Sequence, residues 1–325
     1  MQGTATLKTL QTIGRFGVLL ALVALIVFGW LRYENFLGTY NVLSVLRYNS
    51  MFALVALGMC FVIITGGIDL SVGSTAALGS VVAALVSPYG AVPGLLAGLG
   101  AGLIVGACNA FIITRLNILP FIATLATMLA ASGCALLLAG NQSVSVSYES
   151  GFTELGQGDF LGFPIPAWIA LLAYLLGSLV LNLTSFGRTV LAVGGNEDAA
   201  RLMGLPANRV KALVYLASGG LAGLAGVILA AQFGAGQPIE GVGWELFAIA
   251  AVVVGGTLLT GGVGSVGSTL AGVLLLGLIF NILNFENGLG WISLSAYWQS
   301  VIRGLFLLLV VAIQARLSVR TEETA

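Results

Sequence analysis

The stretch FGVLLALVALIVFGWL, Phe16 to Leu31, is apolar on every face of any regular structure it adopts. A transmembrane β-strand alternates polar and apolar residues because one face meets lipid and the other a lumen, so this run excludes a barrel. An α-helix satisfies its own backbone hydrogen bonds, and roughly 20 apolar residues carry it through a hydrocarbon core about 30 Å thick. The remainder of the chain repeats the pattern. Of 325 residues, 58% are hydrophobic and only 7% charged, and a mean hydropathy of +1.07 lies far outside the range of soluble domains. The expected fold is all-α and polytopic, one transmembrane domain over residues 1–325. Its roughly ten spans fall at about 16–31, 50–65, 70–87, 92–114, 119–139, 166–183, 211–231, 244–260, 267–285 and 296–315.

The basic residues orient these spans. With Lys8 and Arg15 cytoplasmic, alternation places Arg115, Arg188, Arg201, Arg209, Lys211, Arg316 and Arg320 on the same side, in agreement with the positive-inside rule. Both termini are then expected in the cytoplasm. The opposite loops carry Glu34, Glu149, Glu154, Asp159, Glu240 and Glu286, with Arg32 and Arg47 as exceptions. The first run has no A-x-A-like cleavage site after it and reads as a retained helix rather than a removable signal peptide.

Composition narrows the chemistry. The net charge is zero, which suggests no nucleic-acid partner. Histidine is absent, which removes the usual proton shuttle and the commonest metal ligand. Cys60, Cys108 and Cys134 stand singly in apolar runs and read as packing residues. The only lysines, Lys8 and Lys211, follow no GxxxxG pattern, so there is no phosphate loop, and no G-x-S-x-G or H-E-x-x-H motif supports an enzyme.

Against this background TGGIDLSVGST, Thr65 to Thr75, sets an acid between two hydrocarbon runs. A Gly66-Gly67 break in the membrane is tolerable only where protein or a water-filled cavity surrounds it, so Asp69 is expected to face the bundle interior. As the residue before a helix running from about Leu70, its carboxylate suits the free N–H groups and the positive helix end, with Ser71 and Ser74 joining the network. The other reading gives Asp69 a direct part in binding substrate or ions. The stretch is echoed as GGVGSVGST, Gly261 to Thr269, between two apolar runs in the second half. Two structural repeats with glycine-broken helices, a common mark of a transport route, are expected.

Other features carry less. Arg303, inside the last span, either snorkels to the outer interface, lines a polar path, or pairs with a carboxylate such as Asp69 or Glu245; an internal partner is the favoured expectation. Glu245, beside Trp244 at a span start, reads as interfacial. Gly94, Gly98, Gly102 and Gly106 recur every four residues, and Gly219 and Gly223 repeat the spacing, which lets helices meet backbone to backbone. Two polar segments are long. The first, about Gly140 to Pro164, ends in PIPAW, where Trp168 suits the headgroup level. The second, about 184–210 and cytoplasmic, holds NEDAARLM with Gly204 after it. The capping Asn196, acids Glu197 and Asp198 in the first turn, Ala199, Ala200, a late Arg201, Leu202, Met203 and the stop at Gly204 describe a short, fully punctuated helix, suited to docking onto a cytoplasmic partner.

GGIDLSVGS, GGNEDAARLMGLPANRVK, ELFAIAAVVVGGTLLTGG and YWQSVIRG together resemble the permease subunits of bacterial ABC importers for ribose and related monosaccharides, over about Leu54 to Leu309. The resemblance implies a multi-pass protein of the bacterial inner membrane that pairs with a second permease copy. It implies two further partners, a cytoplasmic ATP-binding subunit and a periplasmic sugar-binding protein. By matching position, Glu197 to Gly204 would be the coupling helix, seated in a cleft of the ATP-binding subunit. ATP would be used by that partner, with no cofactor bound by this chain. Gly66, Gly67, Asp69, Ser71, Ser74 and Arg303 would line or scaffold a path between the two copies. The second repeat lacks an acid, so the halves are not chemically equivalent. Permeases for branched-chain amino acids are the related alternative. A self-sufficient carrier or channel is the alternative of another class, for which Asp69, Glu245 and Arg303 are few intramembrane groups.

Overall fold

The computed structural model describes residues 2–288 together with 298, 301, 302, 304 and 305, with backbone alone for 2–16. Helix α1 (Gln2–Arg32) is followed by α2 (Thr39–Ile64), α3 (Val72–Val86) with a 3-10 turn at Ser87–Tyr89, α4 (Ala91–Arg115) and α5 (Pro120–Ala139). Strand β1 (Val144–Ser145), the short α6 (Glu154–Gln157) and the hairpin of β2 (Asp159–Phe160) with β3 (Phe163–Pro164) lead into α7 (Ile165–Leu183). Helices α8 (Ser185–Gly195), α9 (Glu197–Leu202) and α10 (Ala207–Phe233) follow, then β4 (Ala235–Gly236), α11 (Trp244–Val254) and α12 (Val266–Gly288). Seven of these helices are long and apolar enough to cross a membrane, and the apolar pieces Gly17–Arg32 and Trp244–Val254 are shorter. The chain is an all-α, polytopic membrane protein.

Most spans lie where the apolar runs put them, and three differ at one end. Helix α1 begins at Gln2 rather than at about residue 16. Helix α2 begins at Thr39 instead of about residue 50, because TYNVLSVLRYNS continues the helix with its polar residues. Helix α11 stops at Val254 rather than near 260, where Gly256 takes a left-handed φ of 85°. Of the span expected at 296–315 only residues 298, 301, 302, 304 and 305 are described, and Arg303 lies outside the described residues.

Helix α2 is the axis of the bundle: every residue from Asn49 to Ile64 is buried, as a helix apolar all round requires. The tightest packing joins α10 to α4 and α3 through the glycine rows. A methyl group built on Gly223 would lie 2.6 Å from the Gly98 carbonyl oxygen and 2.9 Å from the Gly102 Cα, and one on Gly106 2.6 Å from the Tyr215 carbonyl oxygen. The four-residue spacing thus brings the two backbones into direct contact. At the far end Phe152, fully buried, anchors the segment between α5 and α7 against Ala83, Ala84, Val227 and Ala231. Strand β1 pairs antiparallel with β4, placing Ser145 opposite Ala235.

The link from β4 to α11 does not stay at the surface. Gly236 lies against Ala84, the Gln237 amide donates to the Ser80 hydroxyl at 3.0 Å, and Gly241 lies against Gly73. The contacts therefore run down α3 by about 16 Å at 1.5 Å per residue, so α11 starts well inside the bundle. Glycines at 241 and 243, with φ of 92° and 85°, make this descent possible. Glu245, in the first turn of α11, is accordingly half-buried beside Gly73.

Candidate functional site

Helix α2 ends at Ile64, Gly66 adopts a φ of 77°, and the chain re-enters a helix at Val72. The Ser71 carbonyl accepts the first bond of α3 from Thr75, so Ser71, not Asp69, occupies the cap position. Asp69 works two residues earlier. Its Oδ1 accepts from the Ser71 amide at 3.0 Å and the Ser71 hydroxyl at 2.6 Å, and its Oδ2 accepts from the Ser218 hydroxyl of α10 at 2.9 Å. Asn109 of α4 donates to the Ser71 hydroxyl at 2.9 Å, and Thr127 of α5 donates to Asn109 at 2.6 Å. One buried carboxylate thereby ties the break to α10 directly and to α4 and α5 through Ser71, with hydroxyl and amide donors rather than a cation. Ser74 stays outside, donating to the Ser71 carbonyl. Gly67 is needed because a side chain there would meet the Tyr215 hydroxyl.

The second glycine stretch packs on the first. The Gly262 amide donates to the Ile64 carbonyl at 2.9 Å, and a methyl on Gly261 would lie 2.9 Å from the Gly66 nitrogen. Gly194 of α8 closes this junction, with its Cα facing the Ile64 carbonyl so tightly that no side chain fits. Both breaks and the segment leading to α9 therefore meet at one point.

Helix α9 is built as its residues specify. The Asn196 side chain accepts from the Ala199 amide at 2.9 Å. At the other end the Leu205 amide bonds the Ala200 carbonyl at 3.0 Å and the Gly204 amide the Arg201 carbonyl at 2.9 Å, with Gly204 at φ 80°. This is a complete Schellman stop. Glu197 pairs with Arg201 at 2.8 Å and with Lys211 of α10. Burial opposes its ionisation, but the hydrogen bonds and charges of Lys211 and Arg201 outweigh this and hold its carboxyl below the ordinary range. Asn208 accepts from Arg201 and donates to the Thr114 carbonyl, which fastens the unit to the end of α4. Ala200 is fully buried against Val193 and Ala207, whereas Leu202 and Met203 are 89% and 70% exposed and Asp198 faces solvent.

Between α2, the start of α11 and α12 lies a groove of about 960 Å³. Phe52, Trp244, Phe247 and Phe280 form one side, with ring centroids 4.8 Å apart for Phe52 and Trp244 and 4.5 Å for Phe52 and Phe247. Arg47, Asn49, Gln232, Asn281 and Asn284 supply polar atoms. Sequence reasoning missed this site. The available signal was the row Asn41, Ser44, Arg47 and Asn49 in an otherwise apolar helix, and the asparagines at 281 and 284 three residues apart.

The family model described as branched-chain amino acid transport system / permease component matches residues 41–311. The chain belongs to this permease family. It is 40% identical to the ribose import permease protein RbsC of Bacillus subtilis over 307 residues, covering 94% of each chain. It is 39% identical to the protein of the same name from Escherichia coli K12, covering 91% of this chain and 92% of that one. To the L-arabinose transport system permease protein AraH of Escherichia coli K12 it is 36% identical, covering 95% and 94%. No solved structure matches. A permease conducts rather than catalyses, and its family and apolar helices make this chain a multi-pass inner-membrane protein.

Proposed function

We propose that this chain is the membrane subunit of an ATP-driven importer that moves a neutral monosaccharide of the ribose and arabinose class into the cytoplasm. The carrying observation is the full-length similarity, at 36–40% identity, to permeases named for those two pentoses. The family's description speaks of branched-chain amino acids, but that cargo is not favoured, because the similar permeases compared above are named for sugars.

In this reading α9 is the coupling helix and residues 184–210 the coupling segment. The apolar side chains of Leu202 and Met203, presented on a rigid, doubly stopped helix, suit insertion into a cleft of a cytoplasmic ATP-binding subunit. ATP is bound and hydrolysed there. A periplasmic binding protein delivers the sugar at the other end, and a second permease copy, identical or similar, completes the path. Both termini are cytoplasmic, about ten spans cross the membrane, and the two glycine stretches mark two halves whose broken helices meet. The network of Gly66, Gly67, Asp69 and Ser71 scaffolds the path, and Arg303 contributes to it.

The test is purification of the tagged protein from its native membranes in mild detergent, followed by mass spectrometry and sugar uptake in proteoliposomes. Recovery of an ATP-binding subunit in equal copy number, with ATP-dependent pentose uptake, is expected. Recovery of the chain alone with uptake driven by an ion gradient overturns the reading.

A further inference from the structure

The groove between α2, α11 and α12 carries chemistry that the glycine network lacks. Resting on the importer reading above, we propose that it is a sugar-contacting site on the transit path that a second copy completes. Gln232 and Arg47 are its hydrogen-bonding groups, and the Phe52, Trp244, Phe247 and Phe280 rings are its stacking wall.

Among the described residues, Gln232 Oε1 and Arg47 Nε are both buried without a hydrogen-bond partner, and both residues line the groove. The Nη2 of the same guanidinium holds Asp159 at 2.6 Å. A buried amide oxygen left without a donor is destabilising, so a sequence selected for packing alone would place a leucine there. One side needs a donor and the other an acceptor. A sugar hydroxyl is both at once, and the C–H face of a sugar ring is apolar enough to lie on the aromatic wall. An amino-acid cargo would instead bring an ammonium and a carboxylate. The exposed Glu240 is the acid on the lining, but Arg47, the lining cation among the described residues, is already paired with Asp159, so the carboxylate finds no free partner there. The volume falls within the roughly 300–1,000 Å³ usual for small-molecule sites. The groove is also reachable, since Val242 at its lip is 88% exposed and Leu246 49% exposed.

The experiment uses the whole transporter in proteoliposomes, with its ATP-binding subunit and binding protein, and radiolabelled D-ribose and L-arabinose as probes. Gln232→Leu keeps the volume and removes the polar atoms, Leu246→Trp narrows the groove from its exposed lip, and Leu137→Trp on an exposed face of α5 is the control. Both groove variants are expected to lose uptake by about tenfold while ATP hydrolysis stimulated by loaded binding protein stays within about twofold of wild type. Gln232→Leu is expected to melt no lower than wild type, because it deletes an unsatisfied buried group. Uptake at the wild-type rate in either groove variant overturns the proposal, as does uptake lost from Gln232→Leu together with a lower melting temperature and dissociation of the complex. A wild-type complex that moves neither pentose overturns the importer reading and this inference with it.

Discussion

The Gly262 amide and the Ile64 carbonyl, 198 residues apart in sequence, are joined by a hydrogen bond of 2.9 Å, and the Gly194 backbone closes on the same carbonyl. If α9 couples to a partner as proposed, its motion would be passed to Gly194, two residues upstream of Asn196, and from there to both glycine breaks. Gly194→Val is therefore expected to reduce coupled transport by about tenfold or more while the complex with the ATP-binding subunit still assembles. Gly195 next door has open space around a built methyl group, so Gly195→Ala is expected to transport normally. Equal behaviour of the two variants in an uptake assay contradicts the arrangement.

Asp69 Oδ1 accepts from the Ser71 amide and hydroxyl and its Oδ2 from Ser218, a bonding set that suits a structural pin. Asp69→Asn is expected to lower thermal stability in detergent more than it alters sugar selectivity. Ser218→Ala removes one donor to a buried carboxylate and is expected to cost about 1–3 kcal/mol. Differential scanning fluorimetry with competition uptake separates the cases: altered selectivity at unchanged stability counts against the pin.

How much of this was legible in the sequence depended on range. Seven long spans followed from hydrocarbon length, and the glycine rows of α4 and α10 declared a contact because a four-residue period suits close backbone packing. The ends of α9 were readable because Asn196 and Gly204 act within their own turn. The site of Asp69 was legible as a buried acid at a break, but Ser218, which holds its second oxygen from 149 residues away, was not, because nothing local marks a serine as that partner. The inward course of residues 237–243 was equally hidden. It depends on Gly73 and Gly236 allowing two backbones to touch, which no periodicity reports.

Glu197 supplies a pH dependence. Its folded carboxyl titrates below the ordinary glutamate value of about 4.3, so the unfolded chain binds the proton more readily. The contribution of the Glu197 pairs is present above the ordinary value and is lost as pH falls through the lowered folded one. Hydrogen exchange at the amides of α9 is expected to be slow at neutral pH and to lose protection in acid. Glu197→Gln should abolish that acid limb, and an unchanged profile in the variant would assign it to other groups.

Ala200 and Leu202 make opposite predictions on the same helix. Ala200 is fully buried against Val193 and Ala207, so Ala200→Trp forces α9 away from α8 and α10. The expected result is insertion in the membrane and ATP hydrolysis that no longer drives uptake. Leu202 is 89% exposed, so Leu202→Ser is expected to leave the melting temperature of the isolated protein unchanged. Its cost falls on the partner, because an apolar side chain buried at the centre of an interface is worth about 1–3 kcal/mol. Affinity for the ATP-binding subunit, measured by biolayer interferometry in detergent, should therefore weaken by about tenfold. Undiminished affinity would place the docking surface elsewhere on residues 184–210, and normal uptake by Ala200→Trp would remove α9 from the coupling route.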